Sequence, residues 1–212
     1  MASSANLRVR VVGAGAHGSA PHKGRDPIPV AAEMVLALQT MITRQFDVFD
    51  PVVITVGSFH AGNKGNVIPD DAVFEATLRT FQPTTADRLA SASIRLCEQI
   101  AAAHGLHAEA SVGGDYPVTV NDDTEYAFAA DTARDLFGSH RFTELADPLT
   151  GSEDFSHVLA AVPGCYAFLG AGALPLGQAA SNHSPGATFD DGLLPDVAAY
   201  LAELAIRRIS RG

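Results

Sequence analysis

Between Leu7 and Val112 the apolar residues change period repeatedly, from two to about 3.6 and back, and each change marks a different element. Leu7, Val9 and Val11 alternate with Arg8 and Arg10, the pattern of a half-exposed strand ending at Gly13. After a loop from Gly13 to Arg25, Asp26 and Pro27 supply the cap and first-turn residue of a helix. Its apolar stripe is expected to be Ile28, Ala31, Val35, Leu38 and Ile42. A strand is expected at Val52 to Phe59, and Ala61 to Asp70, carrying two glycines, two asparagines and Pro69, reads as a long turn. In the next strand, Ala72 to Phe81, Phe74, Ala76 and Leu78 face one way. Glu75, Thr77 and Arg79 face the other, which puts Arg79 on the wet side. A second helix from Thr84 or Thr85 turns Leu89, Leu96 and Ile100 inward and stops at Gly105. A last strand follows, in which Leu106, Ala108, Ala110 and Val112 alternate with His107, Glu109 and Ser111. The order β-α-β-β-α-β is the split βαβ of a ferredoxin-like sandwich, assigned to residues 6–114.

Residues 115–212 read differently. Tyr116-Pro117 breaks the chain, and Asn121 or Asp122, with Glu125 behind the latter, opens a helix that runs to Gly138. Short strands are expected at Arg141 to Leu145 and Cys165 to Leu169. A helix should follow Gly151-Ser152-Glu153-Asp154, and a glycine-containing loop should lead to a final helix from about Pro195. This is α/β material, but two strands do not make the sheet that such helices cover, so the unit reads as an incomplete α/β portion.

Composition removes several function classes. The formal net charge is −10 with only 18% charged residues, so nucleic acid is not expected as a partner. Lys and Arg are scattered rather than blocked, which argues against an anionic membrane surface. There is no apolar run of about 18 residues or more, and Met1 to Asn6 lack the profile of a secretory signal, so a soluble protein is expected. Two cysteines, Cys97 and Cys165, make no disulfide framework and point to a reducing, cytoplasmic setting.

Gly13-Ala14-Gly15-Ala16-His17-Gly18 matches G-x-G-x-x-G after a strand. A dinucleotide site needs the helix to start at once, whereas Pro21 and Asp26-Pro27 put that start downstream, so a glycine-rich turn is expected instead. His17 and His22 flank Ser19-Ala20-Pro21 on this loop, and an imidazole there can donate to an oxyanion. Ser152 with His157 lacks both the Gly-x-Ser-x-Gly elbow and an orienting acid, which argues against a serine hydrolase.

Four stretches in order carry a resemblance. Gly15 to His22 with Gly24-Arg25-Asp26-Pro27-Ile28, and Gly65-Asn66-Val67-Ile68-Pro69-Asp70 with Leu78-Arg79-Thr80-Phe81, resemble the lid-domain signatures of the aminoacylase and carboxypeptidase G family of metallopeptidases. Gly151-Ser152-Glu153-Asp154-Phe155 and Asn182-His183-Ser184-Pro185 resemble motifs of its hippurate hydrolase and indoleacetyl-amino-acid hydrolase branch. The resemblance implies a carboxy-terminal half, namely a lid and dimerisation domain joined to part of a catalytic domain. In such enzymes a water or hydroxide bridging two zinc ions attacks the amide of an N-acyl amino acid, with a glutamate as general base. It implies further that His17 stabilises the oxyanion in the partner subunit of a homodimer, and that Asn66, Arg79 and Glu153 bind substrate. Arg79 is suited to its free carboxylate, and His183 is implied to be one metal ligand. The other zinc ligands and the glutamate base match nothing here, since His-x-His and His-Glu-x-x-His are both absent from the sequence. Two other readings follow from the same residues. One is a dimerisation module that catalyses nothing; the other, resting on fold analogy alone, is a small-ligand regulatory domain.

Overall fold

The computed structural model describes residues 1–173 and 180–210. Strand β1 (Ser4–Val12) starts ahead of the expected Leu7 because the preceding residues are themselves tied down. Ala2 is fully buried and donates its N–H to the Leu149 carbonyl at 3.0 Å, while the Ser3 N–H reaches the Thr80 carbonyl at 2.8 Å. The glycine loop then contributes a short strand, β2 (Ala16–His17). Helix α1 (Pro27–Gln45) is capped by Asp26, whose carboxylate accepts from the Ile28 N–H at 3.0 Å.

Strand β3 (Val53–Ala61) follows, and the segment expected to be only a turn contains another short strand, β4 (Val67–Ile68). Strand β5 (Asp71–Arg79), helix α2 (Pro83–Ala103) and strand β6 (His107–Tyr116) complete this half. Gly105, at φ +69°, takes the left-handed turn after α2 that a side chain would resist.

Four strands form one antiparallel sheet in the order β3-β5-β1-β6. Leu7, Val9 and Val11 join Phe74, Ala76 and Leu78 with Ala31, Met34, Leu38, Leu89 and Cys97 of the two helices in a single core. Each large side chain buried there contributes about 1.5–3 kcal/mol. Of the expected α1 stripe, Ala31 and Leu38 are in the core and Val35 and Ile42 pack against it, so only its first residue departs. Ile28 is exposed, and Val30, Ala31, Met34, Leu38 and Met41 are the buried residues. Pro27 is itself buried and Asp26 caps the N–H of Ile28, so the first turn is oriented by its cap and Ile28 points outward. On the other sheet face Arg8 pairs with Glu75 and Arg10 with Asp71, both at 2.8 Å and both solvated, so they add little stability.

The chain divides into two compact units, residues 1–120 with 147–160, and residues 121–146 with 161–212. The second unit holds α3 (Asp123–Phe137), whose cap Asp122 accepts from the N–H groups of Thr124 and Glu125. Helix α4 (Phe155–Ala161) follows the Gly151-Ser152-Glu153-Asp154 turn, as expected, and falls almost wholly within the first unit. Helix α5 (Leu194–Ser210) ends the chain, and its Tyr200 hydroxyl donates to the Ala129 carbonyl of α3 at 2.9 Å.

Neither strand expected in this unit forms. Ser139–Arg141 is a 3₁₀ turn leading into irregular chain, and residues 165–169 form no strand with any of the described residues. A strand exists only through its pairing, and Asn121 takes that role at one residue alone. Its amide donates to the Tyr166 carbonyl at 3.1 Å and accepts the Tyr166 N–H at 2.8 Å. The glycine-containing loop expected after Leu169 lies partly outside the described residues.

Candidate functional site

Two groups of the predicted residues are gathered at opposite ends of β5. At its start, the glycine loop folds onto the β4 segment. The Gly13 N–H donates to the Asp70 carbonyl, the Gly15 N–H to the Asp70 carboxylate and the Gly18 N–H to the Asn66 carbonyl, each at 2.8 Å. Ala14 and Arg25 exchange both backbone hydrogen bonds at 2.9 Å. A Cβ on Gly13 would sit 2.3 Å from the Arg25 carbonyl oxygen, and one on Gly24 2.8 Å from that of Ala14. Close backbone approach therefore explains these glycines. A 3₁₀ turn, Pro21–Lys23, follows the loop where a pyrophosphate site would need a helix.

The short ladder β2–β4 pairs Ala16 with Ile68 and His17 with Val67. It sets His17 beside the Asn66-Val67 segment, and both His17 and Asn66 are exposed. His17 Nδ1 accepts the Ser19 backbone N–H at 3.1 Å and lies 2.8 Å from the Ser19 hydroxyl. A backbone amide can only donate, so in the neutral ring the proton resides on Nε2. The ribbon thus presents an outward N–H donor whose tautomer is set by its own loop.

At the far end of β5, Arg79 is half-buried. Its Nη1 donates to the Thr150 carbonyl at 3.2 Å and to Ser152 Oγ at 3.4 Å. This brings Arg79 to the segment that contains Glu153. The Glu153 carbonyl accepts the Ser156 hydroxyl at 2.6 Å and the Ser156 N–H at 3.3 Å, which anchors the start of α4. His183 lies in the second unit, in an exposed turn where the Ser184 N–H donates to the Ser181 carbonyl at 2.8 Å.

The eight steps from Asp71 to Arg79 span about 27 Å of extended strand. No small substrate reaches both ends within one chain. Among the described residues no three His, Cys, Asp or Glu side chains converge as a metal site. The cysteines offer no nucleophile: burial, with a smaller contribution from Glu98, pushes the Cys97 thiol up to about 12, and burial raises that of Cys165. Sequence reasoning missed Ser152 as a partner of Arg79, because its neighbour in space is remote in the chain. It also missed Asp70 as the post that holds Gly15, for the same reason.

Comparison with known proteins adds an independent line. A family model described as a peptidase dimerisation domain matches residues 2–105. A hippurate hydrolase of Campylobacter jejuni is 34% identical over 207 residues, covering 98% of this chain and 53% of the relative. An IAA-amino acid hydrolase of Arabidopsis thaliana is 32% identical over 216 residues, with 98% and 48% covered. A Bacillus subtilis crystal structure, described as a dinuclear metal binding peptidase from the M20 family, superposes with a TM-score of 0.77 at 28% identity, covering 99% of this chain and 51% of that one. The chain spans about half the length of the curated relatives it matches.

Proposed function

The chain belongs to the M20 family of hydrolases and peptidases, with a peptidase dimerisation domain at residues 2–105, and from that premise we propose that it serves amide hydrolysis of N-acyl amino acids. In this reading it supplies the lid, the dimer interface and one metal ligand, His183. Hippurate-like compounds are the substrate class, by analogy with the activity in the Campylobacter relative's name.

The observation that carries the proposal is the separation along β5. His17 presents an Nε2–H donor suited to an amide oxyanion, and Arg79 a guanidinium suited to a carboxylate, yet about 27 Å of strand lies between them. One substrate can use both only if they come from different copies of the chain. Asn66, on the His17 ribbon, and Glu153, beside the Arg79 partners, complete the two half-sites.

The second copy has a surface to meet. Strand β3 is an outer strand of the sheet; in the turn that leads into it Val48 is 81% and Phe49 93% exposed, and on α1 Leu36 is 71% exposed. The turn carrying Val48 and Phe49 is held, with the Asp47 carboxylate accepting the Phe49 N–H at 2.9 Å and the Thr85 hydroxyl bonding Asp50. An unpaired strand edge beside fixed apolar side chains is the surface we assign to the homodimer.

The described residues do not by themselves fit a divalent metal, so no step of the reaction is assigned to one. In the proposal His183 is a single ligand to zinc, and the others come from outside the described residues. Both cysteines are free thiols, which supports a reducing, cytoplasmic setting. No helix among the described residues is long and apolar enough to cross a membrane.

Because no metal ligands converge among the described residues, a second reading is kept, a dimerisation module without activity of its own. Assays of N-benzoylglycine hydrolysis with added divalent metal separate the two. Turnover that falls about 10²–10³-fold in His17→Ala, and returns when that variant is mixed with Arg79→Ala, supports a site shared between copies. A chain that dimerises but never turns over leaves the module.

A further inference from the structure

We propose that Ser152 is a positioning residue that aims Arg79 at the substrate carboxylate; this rests on the reading of Arg79 as the carboxylate clamp. Arg79 leaves the sheet at the last residue of β5, where a long side chain would otherwise sweep a wide cone. Two acceptors from one short segment restrict it. Thr150 offers a backbone carbonyl at 3.2 Å and Ser152 a hydroxyl at 3.4 Å, and both take their hydrogen bond from the same nitrogen, Nη1.

That choice of nitrogen has a geometric consequence. A guanidinium pairs side-on with a carboxylate through Nε and one Nη, in two parallel hydrogen bonds. With Nη1 committed to the protein, the Nε–Nη2 edge is the one turned toward a ligand. A single acceptor would let the group pivot about its one bond, whereas two acceptors on different atoms fix its plane. Ser152 is therefore the element that sets the orientation, because the Thr150 carbonyl survives any side-chain substitution.

The acceptor segment is itself anchored to the same unit. The Leu149 carbonyl takes the Ala2 N–H at 3.0 Å, and the Ser3 N–H and hydroxyl bond Thr80, the residue after Arg79, at 2.8 and 2.9 Å. The start of β1, the end of β5 and residues 149–152 are thus tied to one another by hydrogen bonds, which keeps Ser152 in register with Arg79. Ser152 is half-buried, so water competes less for its hydroxyl than at an open surface. The hydroxyl accepts here and forms no covalent bond, which gives this serine a use other than that of a nucleophile.

The test uses the 212-residue chain and the Nε–Hε resonance of Arg79 in a titration with N-benzoylglycine, and with N-benzoylglycinamide, which lacks the carboxylate. The acid is expected to shift the Arg79 signal saturably and the amide to leave it in place. Ser152→Ala should weaken the acid about three- to tenfold, as loss of one long, partly solvated hydrogen bond of ordinary strength implies. Ser152→Thr, which keeps a hydroxyl, should restore it, and an unchanged backbone spectrum separates orientation from misfolding. If Ser152→Ala binds the acid as wild type does while Arg79→Ala does not, this inference falls and the clamp stands. If the acid leaves Arg79 unmoved, or binds equally after Arg79→Ala, the clamp falls and the inference with it.

Discussion

The two units of this chain spend their apolar residues in opposite ways. In the first, every member of the main core lies between Leu7 and Ala108, and sheet and helices close over one another. In the second, only Phe128, Ala129, Ala130, Thr132 and Tyr200 are buried among the described residues. Phe168, Phe189, Leu194, Leu201 and Ile206 are exposed there, and Ile209 is 80% exposed. The difference is one of pairing. Helices α1 and α2 lie on a sheet whose strands satisfy one another, whereas among the described residues α3 and α5 have no sheet to lie on. An amphipathic helix is stable only where its apolar stripe is covered, so the same kind of sequence pattern yields a closed core in one unit and an open face in the other.

Truncating one apolar side chain in each unit should give the largest contrast. Phe74→Ala removes the largest fully buried side chain of the first unit and should cost about 3–5 kcal/mol, read from denaturant midpoints. Leu201→Ala in α5 should cost under about 0.5 kcal/mol by the same measurement. Equal losses would mean that α5 is covered in solution.

The next effect depends on pH. Burial holds the folded Cys97 thiol near 12 against an ordinary value of 9.0, so folding favours the protonated form. Below about pH 9 that contribution is complete. As pH climbs from 9 toward 12, the unfolded chain loses its proton first and stability falls. Thermal melts should show this alkaline slope in the wild type and a flatter one in Cys97→Ala. Cys165 is only half-buried, so Cys165→Ala should change the slope less.

Smaller again are the effects of the caps, whose local chemistry is alike in both units. Asp26→Ala should cost about 1 kcal/mol, by loss of the bond to the Ile28 N–H. Asp122→Ala removes two bonds of the same type, to Thr124 and Glu125. If stability were governed by local capping alone, Asp122→Ala would cost more. The closed and open faces predict instead that hydrogen exchange spreads along all of α3 in Asp122→Ala but stays within the first turn of α1 in Asp26→Ala.

Particular residues show where reading the chain worked. The alternation of Phe74, Ala76 and Leu78 against Glu75 and Thr77 identified β5 and its buried face, because a period of two leaves each side chain one choice of side. Asp26-Pro27 and Gly105 identified helix ends, because capping is local chemistry. Reading failed at Ile28, where the cap rather than the average stripe sets the first turn, and at Arg141 to Leu145 and Cys165 to Leu169, where apolar runs have no partner strand. The ribbon of Ala16-His17 with Val67-Ile68 was invisible for another reason. Two residues are too few to display a period, and their pairing spans some fifty residues of chain.

Local pattern in the sequence encodes the order of the four long strands and two helices of the first unit, the helix caps and the types of side chain available for chemistry. All of these depend on neighbours within a few positions. The folded chain adds that the Ser19 backbone sets the tautomer of His17, that Asp70 holds the glycine loop, and that Arg79 rests on Thr150 and Ser152. The last two are contacts between atoms distant along the chain, and the first depends on how the loop turns. Their geometry comes from the sheet and the packing around it, which no local pattern encodes.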